Sequence, residues 1–169
     1  MKNSTTPSRA LVAYAAVASA ILVGATAVAC GSDDPVVPKI PTWTASLSGA
    51  NEVPAKAVAG TATGTVVKNG STYTYTINYS GLTSAPNNAH IHAPAAAGTN
   101  ANVLVPFSIA GATGSSGTIT GTFTAANIAN AAISADSLEV LMSNGNAYMN
   151  VHTPLNGGGE IRGQLSKQQ

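Results

Sequence analysis

The sequence predicts an all-β domain, an antiparallel Greek-key β-sandwich of about eight strands with one short helix. Three observations carry that prediction. Several segments alternate apolar and polar residues with a period of two, the spacing at which a strand buries one face. Turn signals separate them at short intervals, among them the Asn-Gly pairs Asn69-Gly70 and Asn144-Gly145. Hydrophobic residues reach 44% while charged residues are 8% and aromatics 5%. That balance, rich in Thr and Val, favours β-structure with small side chains over charged disorder. The 169 residues suffice for one domain of ordinary size.

The elements follow in order. Residues 42–48 alternate, with Trp43, Ala45 and Leu47 on one side, and form a first strand. Residues 60–67 form a second, and the Asn69-Gly70 turn leads into a return strand on which Tyr73, Tyr75, Ile77 and Tyr79 share a face. Such an aromatic stripe is core packing or, alternatively, a platform for carbohydrate or peptide. A loop then delivers the chain to Ala89-His90-Ile91-His92. Residues 103–109 read as a buried strand that Pro106 marks as an edge or bulge, and residues 117–123 alternate again. The short helix is expected at residues 124–133, with Thr124 as its N-cap and Ile128 facing inward. Residues 137–143 are ambiguous between helix and strand and are read as extended, ahead of Asn144-Gly145. The strand carrying His152 follows, then a flexible Gly157-Gly158-Gly159 turn and a closing strand at residues 160–165.

The N-terminus reads as an address. Lys2 and Arg9 precede an uncharged apolar run over residues 10–29, the arrangement of a signal peptide. The run is also long enough to be an uncleaved membrane anchor. Ala27-Val28-Ala29-Cys30 resembles a bacterial lipoprotein cleavage box, in which the cysteine is lipidated and becomes the new N-terminus; an ordinary cleavage after Ala29, leaving a free thiol, is the alternative. The expected organisation is a signal peptide at residues 1–29, a lipidated tether at residues 30–41 stiffened by Pro35, Pro38 and Pro41, and a folded domain at residues 42–166. Cys30 is the one cysteine, so no intrachain disulfide is available. The chain has seven basic and six acidic residues; without Lys2 and Arg9 five basic residues remain, a net charge near −1. That excludes a basic footprint for nucleic acid.

The candidate chemistry lies in three histidines. His90 and His92 are two apart on a strand and therefore share a face, with Ile91 on the other. The same period groups Tyr148, Asn150 and His152, with Met149 and Val151 opposite. If the two strands are neighbours, three imidazoles converge on the polar outer face of the sheet. Imidazole suits copper and zinc, and three neutral histidines with an open fourth position match the form of a metal centre. The alternative is that they hydrogen-bond backbone and neighbours. Glu160 and Arg162 also share a strand face by spacing. They read either as a ligand-binding pair, with Glu160 orienting a metal-bound histidine, or as a structural pair in which Arg162 binds Glu52 or Glu160 and ties the last strand to the loop after the first. No serine sits in a nucleophile elbow and no glycine run matches a phosphate loop, so no catalytic residues are expected.

Together, Leu47-Ser48-Gly49-Ala50-Asn51-Glu52-Val53-Pro54, Ser80-Gly81-Leu82, Ala89-His90-Ile91-His92, Tyr148-Met149-Asn150-Val151-His152-Thr153 and Gly159-Glu160-Ile161-Arg162-Gly163-Gln164-Leu165 resemble a chordin-type (CHRD) domain, over residues 42 to 165. After His92 the family usually has a glycine-rich turn, where this chain has Ala93-Pro94-Ala95-Ala96-Ala97-Gly98. The resemblance implies an immunoglobulin-like or Cu/Zn superoxide dismutase-like sandwich and an extracytoplasmic location, and no particular ligand. The His-x-His strand with a distant histidine is also similar to the copper site of Cu/Zn superoxide dismutase, without equivalents of that enzyme's zinc ligands or disulfide. The expectation is a non-enzymatic interaction module of the bacterial cell envelope, facing outside the cytoplasm. It would be held to a membrane through lipid on Cys30, would bind an unknown protein or small molecule, and would require no cofactor. The alternative is a mononuclear copper or zinc protein using His90, His92 and His152, with superoxide dismutase-like redox chemistry as its extreme form.

Overall fold

A computed structural model describes Met1 and residues 39–169 of the chain; the predicted signal peptide, Cys30 and most of the tether lie outside the described residues. The elements are β1 (Thr42–Ser48), β2 (Thr61–Asn69), β3 (Thr72–Ser80), β4 (Asn88–His92), β5 (Val103–Pro106), β6 (Gly117–Phe123), α1 (Ala135–Ser143), β7 (Tyr148–Thr153), β8 (Asn156–Gln164) and β9 (Ser166–Lys167). Every strand pairing is antiparallel, as the hairpin turns require. Hydrogen bonds link the strands into one sheet in the order β5-β4-β7-β8-β1-β2-β3-β6, with β9 added to β1. The all-β antiparallel expectation therefore holds. The bonding draws one continuous sheet, not two Greek-key layers.

That sheet rolls up toward a barrel because its two ends share aromatic side chains. Phe107, just beyond edge strand β5, stacks on Tyr75 of β3 with ring centroids 3.9 Å apart, and lies 6.4 Å from Phe123 of edge strand β6. Tyr73 stacks on Phe123 at 4.8 Å. The inner face so enclosed holds Trp43, Leu47, Val66, Ile77, Ile91, Ile119, Met149, Val151 and Ile161, all buried. Tyr73, Tyr75 and Tyr79 belong to the same core, which rules out the ligand-platform reading of that stripe. The alternation thus sends side chains where the two-residue period predicts. Gly163 is required where β8 meets β1, because a Cβ there would run into the Ser46 carbonyl.

The helix is not where the sequence places it. Residues 124–133 form a single 3-10 turn, Ala125–Asn127, closed by reciprocal Thr124 and Asn127 bonds. The helix is α1, over the stretch read as extended. Ser134 caps it by accepting from the Ser137 N–H at 3.1 Å. Leu138 and Met142, four residues apart and so on one helix face, are fully buried. The alanine-rich segment before it offers one large anchor, Ile128, and that is only partly buried. Asn144-Gly145 accordingly ends a helix, with Gly145 at φ +70°, where a hairpin was expected. Glu139 fixes the exposed side of α1 by accepting from Lys68 Nζ and Tyr73 Oη, each at 2.5 Å. Among the described residues no helix is long and apolar enough to cross a membrane.

Met142→Ala should lower unfolding free energy by about 2–5 kcal/mol, the range for truncating a buried large apolar side chain. Urea denaturation should show an earlier midpoint with an unchanged slope. A midpoint equal to wild type would contradict the docking of α1 described here.

Candidate functional site

The outer face of β4, β7 and β8 carries a polar layer. Strand parity puts His90 and His92 on β4, Tyr148, Asn150 and His152 on β7, and Arg162 and Gln164 on β8 toward the same side. The register sets His90 opposite Asn150, His92 opposite Tyr148, Asn88 opposite His152, and Asn150 opposite Arg162. The three histidines are thus on neighbouring strands, as convergence requires. The face is not solvent-exposed, however. His90, His92, Asn150 and Arg162 are 7%, 9%, 2% and 1% exposed, and His152 is half-buried. The turn after β1 and the loop after β4 fold over the layer and join through Asn100 Nδ2, which donates to Val53 O at 3.1 Å. The polar outer surface expected from the pattern is a second interior.

The imidazole rings lie 5.4 Å (His90–His92), 5.0 Å (His90–His152) and 6.3 Å (His92–His152) apart between centroids. One ring nitrogen from each falls within 4.8 Å of the others. Their tautomers follow from their partners. His92 Nδ1 is 3.0 Å from Ala101 O, and His152 Nδ1 is 3.0 Å from Gly157 O. A carbonyl only accepts, so both Nδ1 atoms carry the proton and both Nε2 atoms present lone pairs. His90 Nδ1, 3.2 Å from His152 Nε2, must then donate to it. His92 Nε2 is buried without a hydrogen-bond partner. Burial, with help from His152 and His92, pushes the His90 imidazole down to about 4. Burial also lowers His92 and His152, against the raising effect of their carbonyl bonds. All three are therefore neutral near pH 7, the form that ligates metal.

The spacing suits one ion. Two nitrogens on a tetrahedral zinc, each about 2.05 Å from it, are about 3.3 Å apart. The His90–His152 pair is already close to that value, and the cluster as a whole must contract. An ion would replace the His90–His152 hydrogen bond, the proton of neutral His90 then residing on Nε2 instead of Nδ1, and would give the orphaned His92 Nε2 a partner. Each of His92 and His152 keeps its other nitrogen on a carbonyl, the outer contact that fixes ring orientation in metal-ligating histidines.

The glycine turn proves to be part of the site. Val151 pairs with Ile161 and Thr153 with Asn156, so residues 157–160 bulge opposite His152 alone. The bulge carries Gly157 O to His152 Nδ1. Gly159 adopts φ +117°, and a Cβ there would lie 2.5 Å from Asn150 Nδ2 and 2.7 Å from Glu52 Oε1.

The bulge also undoes the expected Glu160–Arg162 face. Glu160 turns away and accepts from Thr83 N (2.7 Å), Thr83 Oγ1 (2.5 Å), Thr153 Oγ1 (2.6 Å) and Asn156 Nδ2 (3.0 Å). Burial opposes its ionisation, but these bonds prevail and hold the carboxyl below the usual range. It has no bond to a histidine and orients none. Arg162 pairs with neither Glu52 nor Glu160; among the described residues the ion pair found within 4 Å is Lys68–Glu139. Its guanidinium lies 4.1 Å above the Tyr148 ring, and it donates from Nη1 to Asn100 Oδ1 and from Nη2 to Thr99 O, both at 2.8 Å. The Arg162 side chain thus ties β8 to the loop after β4, while its carbonyl accepts from Asn51 Nδ2 of the turn after β1 at 3.2 Å. Glu52 accepts from Asn150 Nδ2 at 2.7 Å, and burial holds its carboxyl above the usual range despite Arg162. Tyr148, which sequence reasoning placed on this face without a role, stacks on His92 at 4.8 Å with planes 5° apart.

A family model for the CHRD domain matches residues 43–165. No curated protein and no solved structure matches the chain.

The histidines predict a pH dependence for the metal-free protein. Each binds its proton less readily when folded than at the ordinary 6.5, so the unfolded chain holds more protons as pH falls below that value. Their contribution is complete above about 6.5 and is lost on acidification, for His90 down to about 4. His90 alone should account for roughly 3 kcal/mol. Glu52, whose folded value is raised, opposes this by taking up its proton earlier in the folded state. Urea midpoints measured with chelator present should decline over that range, and His90→Gln should flatten the decline. A wild-type midpoint that holds steady or rises on acidification would contradict the assignment.

Proposed function

The chain belongs to the CHRD-domain family, and from that premise we propose that it is a non-enzymatic, extracytoplasmic binding module that holds one copper or zinc ion between His90, His92 and His152. The observation that carries the reading is the buried Nε2 of His92, a lone pair without a partner beside two other neutral imidazoles. An unsatisfied buried polar atom is costly, and a metal ion is the partner that this donor set fits. The ligands sit on a rigid sheet, and the fourth position of a tetrahedral ion would fall to water or to an incoming group. With three histidines gathered and, among the described residues, no carboxylate or thiolate beside them, the donor set suits a mononuclear centre.

The sequence supports the location. The basic start, the apolar run and the Ala27-Val28-Ala29-Cys30 box accord with export and lipidation at Cys30, which would tether the domain to a bacterial cell-envelope membrane outside the cytoplasm. Protein or small-molecule partners would then meet the domain at that surface.

Two experiments test the two halves. Titration of the metal-free protein with Cu(II) or Zn(II) should saturate at one equivalent and raise the melting temperature, by an amount corresponding to about 2.7 kcal/mol at free metal 100 times the dissociation constant. The effect should vanish in His92→Ala, and a wild-type protein that binds neither ion would refute the metal reading. Expressed in a bacterium, the chain should incorporate fatty acid and partition with membranes, and Cys30→Ser should abolish the incorporation. Incorporation that persists in that variant would refute the anchor.

A further inference from the structure

We infer that the ion this centre favours is monovalent copper over divalent zinc, because a buried guanidinium is stacked against its ligand set. The inference rests on the metal-binding reading above and adds to it the charge of the ion.

The donors supply no negative charge. All three are neutral imidazoles, and among the described residues the cluster contains no carboxylate or thiolate. Glu160 is committed to Thr83, Thr153 and Asn156 on the far side of the bulge. Glu52 is on the same side as the cluster, is not among its donors and is bonded to Asn150; burial holds its carboxyl above the usual range against the lowering effect of Arg162 and Lys56. Arg162, by contrast, is 1% exposed and has no carboxylate within 4 Å among the described residues. It lies 4.1 Å over Tyr148, and the Tyr148 ring lies parallel to His92 at 4.8 Å. The stack therefore aims a fixed positive charge at one ligand ring, through two stacked spacings, from roughly 9 Å.

Coulomb's law decides the sign. At an effective dielectric of about 20 and that separation, each additional unit of charge on the ion weakens binding roughly twentyfold. A monovalent ion suffers this once and a divalent ion twice. Coordination works in the same direction. Zinc seeks a fourth donor, whereas Cu(I) is satisfied by three nitrogens.

The test is a competition on the purified full chain. Cu(I), kept reduced anaerobically by ascorbate and buffered with bicinchoninate, is compared with Zn(II) buffered by a chelating dye. Wild type should bind Cu(I) at least about tenfold more tightly than Zn(II). Arg162→Met should narrow the gap by roughly twentyfold and lower the Cu(II)/Cu(I) potential by roughly 80 mV, the equivalent of that factor for one electron. Arg162→Lys, which keeps the charge, should retain most of the preference. If neither ion binds wild type, the metal reading itself fails. If ions bind but zinc equals or exceeds Cu(I), or a folded Arg162→Met leaves gap and potential unchanged, this inference is overturned while the metal reading stands. Should Arg162→Met not fold, the wild-type competition and Arg162→Lys still decide.

Discussion

Two carbonyl oxygens govern the chemistry of this domain. Ala101 O and Gly157 O each take the Nδ1 proton of a histidine, and that pair of bonds leaves two Nε2 lone pairs facing inward. Without them the imidazoles could rotate or exchange tautomers, and no fixed donor set would exist. Much of the surrounding structure holds those carbonyls in place. Arg162 grips Thr99 and Asn100, the residues just before Ala101. Gln164 binds Ala95 O at the other end of the same loop. The Gly157–Gly159 bulge delivers the second carbonyl, and the missing Cβ of Gly159 leaves space for the Asn150–Glu52 bond.

The domain thus has two interiors with different physics. The inner one is apolar and aromatic and closes the sheet through Phe107, Tyr75 and Phe123. It supplies the bulk of stability in the ordinary way, by removing hydrocarbon from water. The second lies between the outer face of β4, β7 and β8 and the loops that cover it, and is polar throughout. Buried polar layers specify a structure because each unmet group is penalised. Arg162, with its acceptors on Thr99 and Asn100, is such a satisfied group. His92 Nε2 is the exception, and an orphan in an otherwise satisfied layer is where a ligand belongs.

What the sequence made legible was whatever depends on strand parity. Ile91, Met149 and Val151 face the core, the tyrosine stripe of β3 is buried, and the three histidines converge, all because the side-chain period of a strand is two. Illegible were the features that break that period or arise from loops. A bulge of four residues against one reversed the side on which Glu160 stands. The covering loops turned a surface into an interior, and Arg162 found their carbonyl and amide oxygens where a carboxylate was expected. The misplaced helix has a simpler cause. A run of alanines and asparagines looks helical by composition, but Leu138 and Met142 supply the buried anchors four residues on, and tertiary packing outweighed propensity.

The claim on which the rest hangs is the protonation pattern of the cluster, and nitrogen-15 NMR of the imidazole rings in the metal-free protein at neutral pH reads it directly. The account predicts neutral rings throughout, with His92 and His152 protonated at Nδ1 and bare at Nε2. Spectra showing His92 or His152 as the Nε2–H tautomer, or as an imidazolium, would contradict it.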